Sequence, residues 1–353
     1  MIGPSPIRAK GGMSTVIQEI YEDKIFEDDC KIDIYESYID GNRIKAVLFS
    51  IWSFLKFWIL GKSKNYDIYH IHVASRGSTF RKMLYAALIK KQNKKLILHI
   101  HGGQYLEFYD GLSKRNKKKV LSFLKSANIV IALSEQWKAN FESFFKLNNC
   151  IILENGIDLE KYYKARKEPI ALNKQFLFLG RVSVDKGIYE LIKAVSIVKK
   201  EYLDICVYVG GEGDILGAEK YITECGAEKN IKLIGWLDEE KKIDVLSKVN
   251  TLILPSHYEA LPMSILEAMA CGKAIISTKV GAIPEIVQED NGILINVGEV
   301  DELVNAIKKC CEDLSWMKRV YNANQKKIYD LYNMKEKHEK LKQCYEKLNK
   351  DNQ

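Results

Sequence analysis

A chain of 353 residues, 47% hydrophobic and 28% charged, is long enough for two domains of ordinary size and has the balance of a globular rather than a disordered protein. Its eight cysteines stand singly apart from Cys310-Cys311, with no C-x-x-C pair, which argues against a disulfide framework or a cysteine-held zinc and for reduced thiols in a cytoplasm. The net charge of +8 is carried largely by "SKRNKKKV" (113–120) and a lysine-rich C-terminal region, which read first as solvated helix faces and second as surfaces for an anionic partner.

The chain opens on "GPSPIRAKGG" (3–12), the kind of glycine-bearing turn that follows the first strand of a doubly wound domain. Only Met1-Ile2 precede it, so the first strand is expected to be truncated and the native start to lie upstream. No apolar run follows a basic start, so no signal peptide is read. "KIDIYES" (31–37) reads as a strand. "AVLFSIWSFLKFWIL" (46–60) is interrupted by Lys56 and falls short of the roughly 20 residues a bilayer requires. A buried helix is expected there, with a helix lying on a membrane surface as the alternative.

"DIYHIHV" (67–73), "KLILHIH" (95–101), "NIVIALS" (128–134) and "CIILEN" (150–155) follow as strands. Their near-continuous apolar character is that of parallel strands covered on both faces. The histidine pairs in "HIHV" and "HIH" share a strand face, as metal ligands can, but strand alternation accounts for them and no metal is expected. The polar stretch "ARKEPIALNK" (165–174) separates a first domain, 1–165, from a second, 170–330. A helix at 335–353 is expected to pack back on the first.

The second half repeats the alternation with "QFLFLG" (175–180), "DICVYVG" (204–210), "IKLIG" (231–235), "TLILP" (251–255), "KAIIST" (273–278) and "GILIN" (292–296). In "FLFLGRVSVDKG", Gly180 and Arg181 lie just past a strand end, and Lys186 and Gly187 open a helix. Ligands bind beyond the carboxyl ends of such strands, and a guanidinium fork with an ammonium suits a pair of phosphates. Gly211 sits in a second glycine-rich turn, "VYVGGEGD", where backbone can approach a ligand. In "LIGWLDEEK", Trp236 and Leu237 could flank a base, although a structural role for both side chains is favoured.

"YEALPMSILEAMACG" (258–272) carries two carboxylates in an otherwise apolar segment. Pro262 suits the first turn of a helix. The apolar residues after it mark the helix as buried, so Glu267 needs a partner, either a cation or a ligand offering hydroxyls. Glu259 precedes the helix, in the loop at its mouth. Backbone N–H groups near Leu261, Met263 and Ser264 face out of that mouth and favour a phosphate.

Taken together, "GRVSVDKG", "VGGEGD", "YEALPMSILEAMACGKAIIST" and "VGAIPEIV" resemble the C-terminal half of family-4 glycosyltransferases, the Glu259-to-Glu267 spacing matching their E-x7-E motif. "KGGMSTVI", "DIYHIHV", "HIHGG" and "ENGIDLEKY" extend the resemblance into the first half, so that it covers the chain from Gly3 to about Asp313. The resemblance implies an α/β protein of GT-B fold, two Rossmann-like doubly wound domains facing a central cleft. It implies a retaining enzyme of hexosyl or N-acetylhexosaminyl type that uses a nucleoside-diphosphate-sugar, a UDP-sugar first, without a required metal or other cofactor. Arg181 and Lys186 would then neutralise the donor diphosphate, Glu267 would hold the ribose and Glu259 would face the sugar. Gly12 would let backbone approach the pyrophosphate, and His101 matches the family histidine near the reaction centre. Where the family commonly has Gly after its first Glu, this chain has Ala260. The implied acceptor is a glycan or a lipid-linked glycan of polysaccharide or cell-envelope synthesis, not nucleic acid. The basic 113–120 and aromatic 46–60 stretches invite docking to an anionic membrane surface, hence a cytoplasmic protein peripheral to the inner face of the membrane. A nucleotide-sugar epimerase of the same fold, or a non-catalytic sugar-nucleotide-binding subunit, are the competing readings.

Overall fold

The computed structural model describes residues 1–27, 30–60, 66–168 and 171–350. Pro169 and Ile170, in the stretch expected to join the domains, and residues 351–353, expected at the end of the last helix, lie outside the described residues. The chain divides into two compact units, Met1–Asn155 with Lys335–Gln353, and Gly156–Met334. The first crossing thus comes ahead of the polar stretch at 165–174. Within the second unit the two crossing segments lie side by side: the Ile157 N–H donates to the Tyr332 carbonyl at 2.7 Å, and the Met334 N–H to the Ile157 carbonyl at 3.1 Å.

In the first unit the chain runs β1 (Ile2–Pro4), α1 (Gly12–Glu22), β2 (Tyr35–Tyr38), α2 (Arg43–Leu60), β3 (Ile68–Val73), α3 (Gly77–Lys91), β4 (Lys95–Ile100), α4 (Tyr105–Asp110), α5 (Lys114–Lys125), β5 (Ile129–Ala132), α6 (Glu135–Phe145) and β6 (Cys150–Ile152). The strands form a parallel sheet in the order β2-β1-β3-β4-β5-β6. Although three residues long, β1 is an interior strand, with Ile2 paired to Tyr35 on one side and to Ile71 on the other. Strand order reverses between β1 and β3, so the loop ending at Gly11-Gly12 leaves the sheet at its switch point, where such sheets bind ligands.

The 46–60 run is helical, within α2, but it is not the buried helix expected. Ala46, Ser53 and Phe57 face inward, whereas Leu48, Trp52, Trp58 and Ile59 are more than half exposed. The cause is position. α2 packs on β2 and beside α3, so the side turned away from the sheet, opposite Ala46, Ser53 and Phe57, is left exposed.

The second unit continues with α7 (Leu159–Tyr162), β7 (Gln175–Leu179), α8 (Ile188–Val198), β8 (Cys206–Gly210), α9 (Ile215–Glu224), β9 (Ile231–Gly235), α10 (Glu239–Lys248), β10 (Thr251–Leu254), α11 (Met263–Ala270), β11 (Ala274–Thr278), α12 (Ile283–Ile286), β12 (Gly292–Ile295), α13 (Val300–Glu312) and α14 (Leu314–Leu331). Its parallel sheet runs β12-β11-β10-β7-β8-β9, the dinucleotide-fold order with its switch point between β7 and β10. Helix α15 (Met334–Lys350) belongs to the first unit beyond its first residue. There His70 Nδ1 lies 2.7 Å from the Tyr345 hydroxyl, His338 Nδ1 lies 2.6 Å from Asp23, and Lys337 meets Glu154 at 2.9 Å.

Candidate active site

The loops after β7 and β10 flank the switch point of the second unit, and close backbone approach locks them together. Gly187 ends the β7 loop at φ +72°, and a Cβ there would sit 2.0 Å from the Pro255 carbonyl oxygen. The His257 N–H donates to the Asp185 carbonyl at 2.9 Å. Across the same loop Gly281 has φ +56°, and a Cβ on it would fall 2.0 Å from the Glu259 carbonyl oxygen. A side chain at either position would push the Glu259 loop away, which is the structural reason for glycine in "DKG" and "VGA".

Glu259 is 8% exposed, and one oxygen, Oε1, accepts from Lys186 Nζ at 2.5 Å and from Ser256 Oγ at 2.8 Å. The cation read for a phosphate and the carboxylate read for a sugar are therefore bonded to each other. Arg181 is exposed beside Gly180, whose N–H donates to the Gly210 carbonyl. The Gly211 N–H donates in turn to the Gly235 carbonyl at 2.7 Å. The three glycine-bearing strand ends, after β7, β8 and β9, thus form one continuous backbone rim. Trp236 follows on that rim, 43% exposed, while Leu237 is buried and would contact a Cβ on Gly210.

Helix α11 begins at Met263. Pro262 is its N-cap, at φ −72° and ψ 122°, rather than a first-turn residue. An extended backbone before the first turn suits proline as well, and its missing N–H removes no helical bond. Leu261 and Met263 are buried and Ser264 is half-buried. Every residue of the helix except Ser264 is buried, Glu267 among them at 4% exposure. Its partner is Lys242 of α10, which donates to Oε1. Each glutamate thus has its own lysine. The need for a partner at Glu267 was readable from sequence, but Lys242 was not: "EEKKIDVLSK" is an ordinary amphipathic helix, and only the fold aims that ammonium inward.

In the first unit Gly12 opens α1 and is exposed. His101 follows β4, partly exposed, with its N–H donating to the Val73 carbonyl at 2.8 Å. Behind it stands a ladder of imidazoles, because His70 and His72 share a face of β3, His99 and His101 share one of β4, and His72 is in register with His99. His72 Nδ1 lies 2.9 Å from His101 Nε2, and His70 Nε2 lies 3.3 Å from His99 Nδ1. Burial, reinforced by the neighbouring imidazoles, holds His70, His72 and His99 well below the usual histidine pKa, and desolvation lowers His101 to about 3. Neutral rings are what such a stack requires, since adjacent imidazolium charges would repel without solvent. Nitrogens of His70, His72 and His99 lie within 4.8 Å of one another, close enough for a metal group, although His70 engages Tyr345 and His99 with its two nitrogens.

The chain is similar to known proteins over most of its length. Residues 15–161 match the family model described as Glycosyltransferase Family 4, and residues 163–327 match Glycosyl transferases group 1. An uncharacterized glycosyltransferase of Methanocaldococcus jannaschii is 27% identical over 380 residues, covering 96% of this chain and 95% of that one. The UDP-Gal:alpha-D-GlcNAc-diphosphoundecaprenol alpha-1,3-galactosyltransferase of Escherichia coli is 24% identical over 319 residues, 83% of this chain and 78% of that one. Among solved structures, sucrose-phosphate synthase from Thermosynechococcus elongatus aligns over 98% of each chain with a TM-score of 0.81 at 19% identity.

Proposed function

This chain belongs to the glycosyltransferases, a family 4 domain followed by a group 1 domain in a GT-B fold, and from that premise we propose a retaining transfer from a nucleoside-diphosphate-sugar to an acceptor hydroxyl. The observation that carries the reading is the Lys186–Glu259 pair beside the switch point of the second sheet. A buried ion pair is a poor source of stability, because desolvating both charges offsets most of their attraction. A nucleotide-sugar supplies a reason for it. The diphosphate gives the Lys186 ammonium a second anion, and a sugar hydroxyl donates to Glu259. The pair can therefore part around the ligand without leaving either charge bare.

Arg181 adds a guanidinium to the leaving diphosphate, and the backbone N–H groups at the start of α11, around Met263 and Ser264, add their dipoles. Stabilisation of the departing charge by these groups is why no metal or other cofactor is required in this reading. Glu267 accepts from the ribose hydroxyls, and the glycine rim through Gly211 with Trp236 and Leu237 borders the base. For the first unit, the family resemblance implies a pyrophosphate-facing role for Gly12 and a sugar-facing role for His101. The acceptor attacks from the face that the diphosphate leaves, which preserves configuration. UDP is the favoured nucleotide and a lipid-linked glycan the favoured acceptor, as in the name of the Escherichia coli relative. The transferred group is a hexosyl or N-acetylhexosaminyl unit, added in the cytoplasm during polysaccharide or cell-envelope assembly.

Arg181→Ala and Lys186→Ala, assayed against a panel of UDP-, GDP- and ADP-sugars, test the assignment. Each is expected to lower turnover by about 100-fold or more with an unchanged circular dichroism spectrum. Undiminished turnover in either variant removes the phosphate role. An isomerised sugar formed from donor alone would replace transfer with epimerisation.

A further inference from the structure

Helices α2, α3 and α5 of the first unit are neighbours, α3 packing against both of the others. Across all three there is no Asp or Glu, against three Lys or Arg in α2, four in α3, of which Lys82 is buried, and six in α5. At the α2 end the surface is apolar. Leu48, Ile51, Trp52, Leu55, Trp58 and Ile59 recur at helical spacing along one outward stripe, each between 45% and 68% exposed. Isolated exposed apolar side chains are ordinary, but a continuous stripe of six large ones marks an interaction surface. Beside the stripe, a groove of about 660 Å³ runs between α2 and α3, with Val47 and Leu84 on its apolar wall and Arg43 and Arg81 lining it. At the far end Lys114, Arg115, Lys118, Lys119 and Lys125 of α5 are exposed.

We propose that this face seats the protein on an anionic lipid bilayer, with α2 lying in the interface and α5 over the headgroups. No helix among the described residues is long and apolar enough to cross a membrane, so α2 lies on it rather than through it. The chemistry suits that geometry. Trp52 and Trp58 are interfacial residues, and Lys56, whose ammonium lies 5.0 Å from the centre of the Trp52 ring, can extend its stem past apolar surface to the headgroups. Lack of any carboxylate over three helices is the complement of an anionic surface. It also disfavours a second copy as the occupant, since a two-fold contact through this face would set cation against cation. The groove between α2 and α3, about 660 Å³ in volume and apolar in most of its lining, offers room for an acyl chain, with the Arg43 and Arg81 guanidinium groups at hand for a phosphate. This inference goes beyond glycosyl transfer and does not rest on it.

The test is co-sedimentation of the full chain, without donor, with vesicles of phosphatidylcholine alone and of equimolar phosphatidylcholine and phosphatidylglycerol. Binding is expected to the anionic vesicles only. Trp52→Ser combined with Leu55→Ser, at exposed positions that leave the melting temperature unchanged, should abolish it. Lys118→Glu combined with Lys119→Glu should weaken it at least about 25-fold, given about fivefold per well-placed cation, and salt should mimic that loss. No binding to anionic vesicles, or binding indifferent to the α2 variant, overturns the proposal. So does self-association in sedimentation velocity that the α2 variant removes, because the face would then cover a second copy.

Discussion

Nδ1 of His72 stands 2.9 Å from Nε2 of His101, so the imidazole at the end of β4 is oriented by its neighbour on β3. With Nε2 committed to that bond, Nδ1 is the nitrogen left to His101 for a ligand. His72 is therefore a positioning residue in the proposed reaction. His72→Phe keeps a neutral ring and removes the bond, and is expected to lower kcat by about 10- to 100-fold while changing the donor KM less than about twofold. His72→Gln, which restores a hydrogen-bonding group, should recover part of the loss. Equal losses in both variants, or a change confined to KM, would assign His72 to packing alone.

The ladder also makes stability depend on pH. Folded-state pKa values of His70, His72, His99 and His101 all lie below the ordinary 6.5, chiefly through desolvation. Below that pH the unfolded chain binds more protons than the folded one, so folding weakens as pH falls. The full stability is present above about pH 6.5 and is lost toward the folded values, at up to about 1.4 kcal/mol per pH unit for each histidine. The contribution of the ladder to the melting temperature is expected to be level above about pH 7 and to fall steeply below about pH 6. A melting temperature that holds level down to about pH 5 would mean that the rings charge freely. Running the series with and without a chelator separates protonation from metal ligation by His70, His72 and His99, whose nitrogens are within 4.8 Å.

Glu267 and Lys242 offer a test that separates folding from binding. Lys242→Met leaves a buried carboxylate without its cation and is expected to cost about 3 kcal/mol, whereas the double variant with Glu267→Leu should recover much of that loss. Calorimetric titration with UDP should show weaker binding for Glu267→Gln, even where its melting temperature is near that of the parent. Unchanged UDP affinity in that variant would leave Glu267 a structural residue.

Much of the site could be read in order along the chain because its groups are local. Gly180 and Arg181, then Lys186, sit within one loop, and Glu259 and Glu267 bracket one helix start. The residues they meet could not be read the same way. Lys242 lies on another helix, Ser256 looks like any loop serine, and the Gly281 contact to the Glu259 backbone depends on how β10 and β11 stack. Boundaries suffered for the same reason: the chain leaves the first unit before its polar stretch because Ile157 pairs with Asn333, a partner far along the sequence.

What the sequence determined by itself was the alternation of buried parallel strands with helices, since apolar runs covered on both faces are a property of each segment alone. It also set the kinds of charge at the strand ends. The tertiary structure decided which faces those segments show and which charges they meet. Helix α2 is the clearest case. A helix apolar on opposite sides carries no instruction as to which side is covered, and its packing on β2 covers one and leaves the side away from the sheet open. Burial belongs to neighbours rather than to residues, and neighbours distant in sequence are chosen only when the sheet orders its strands.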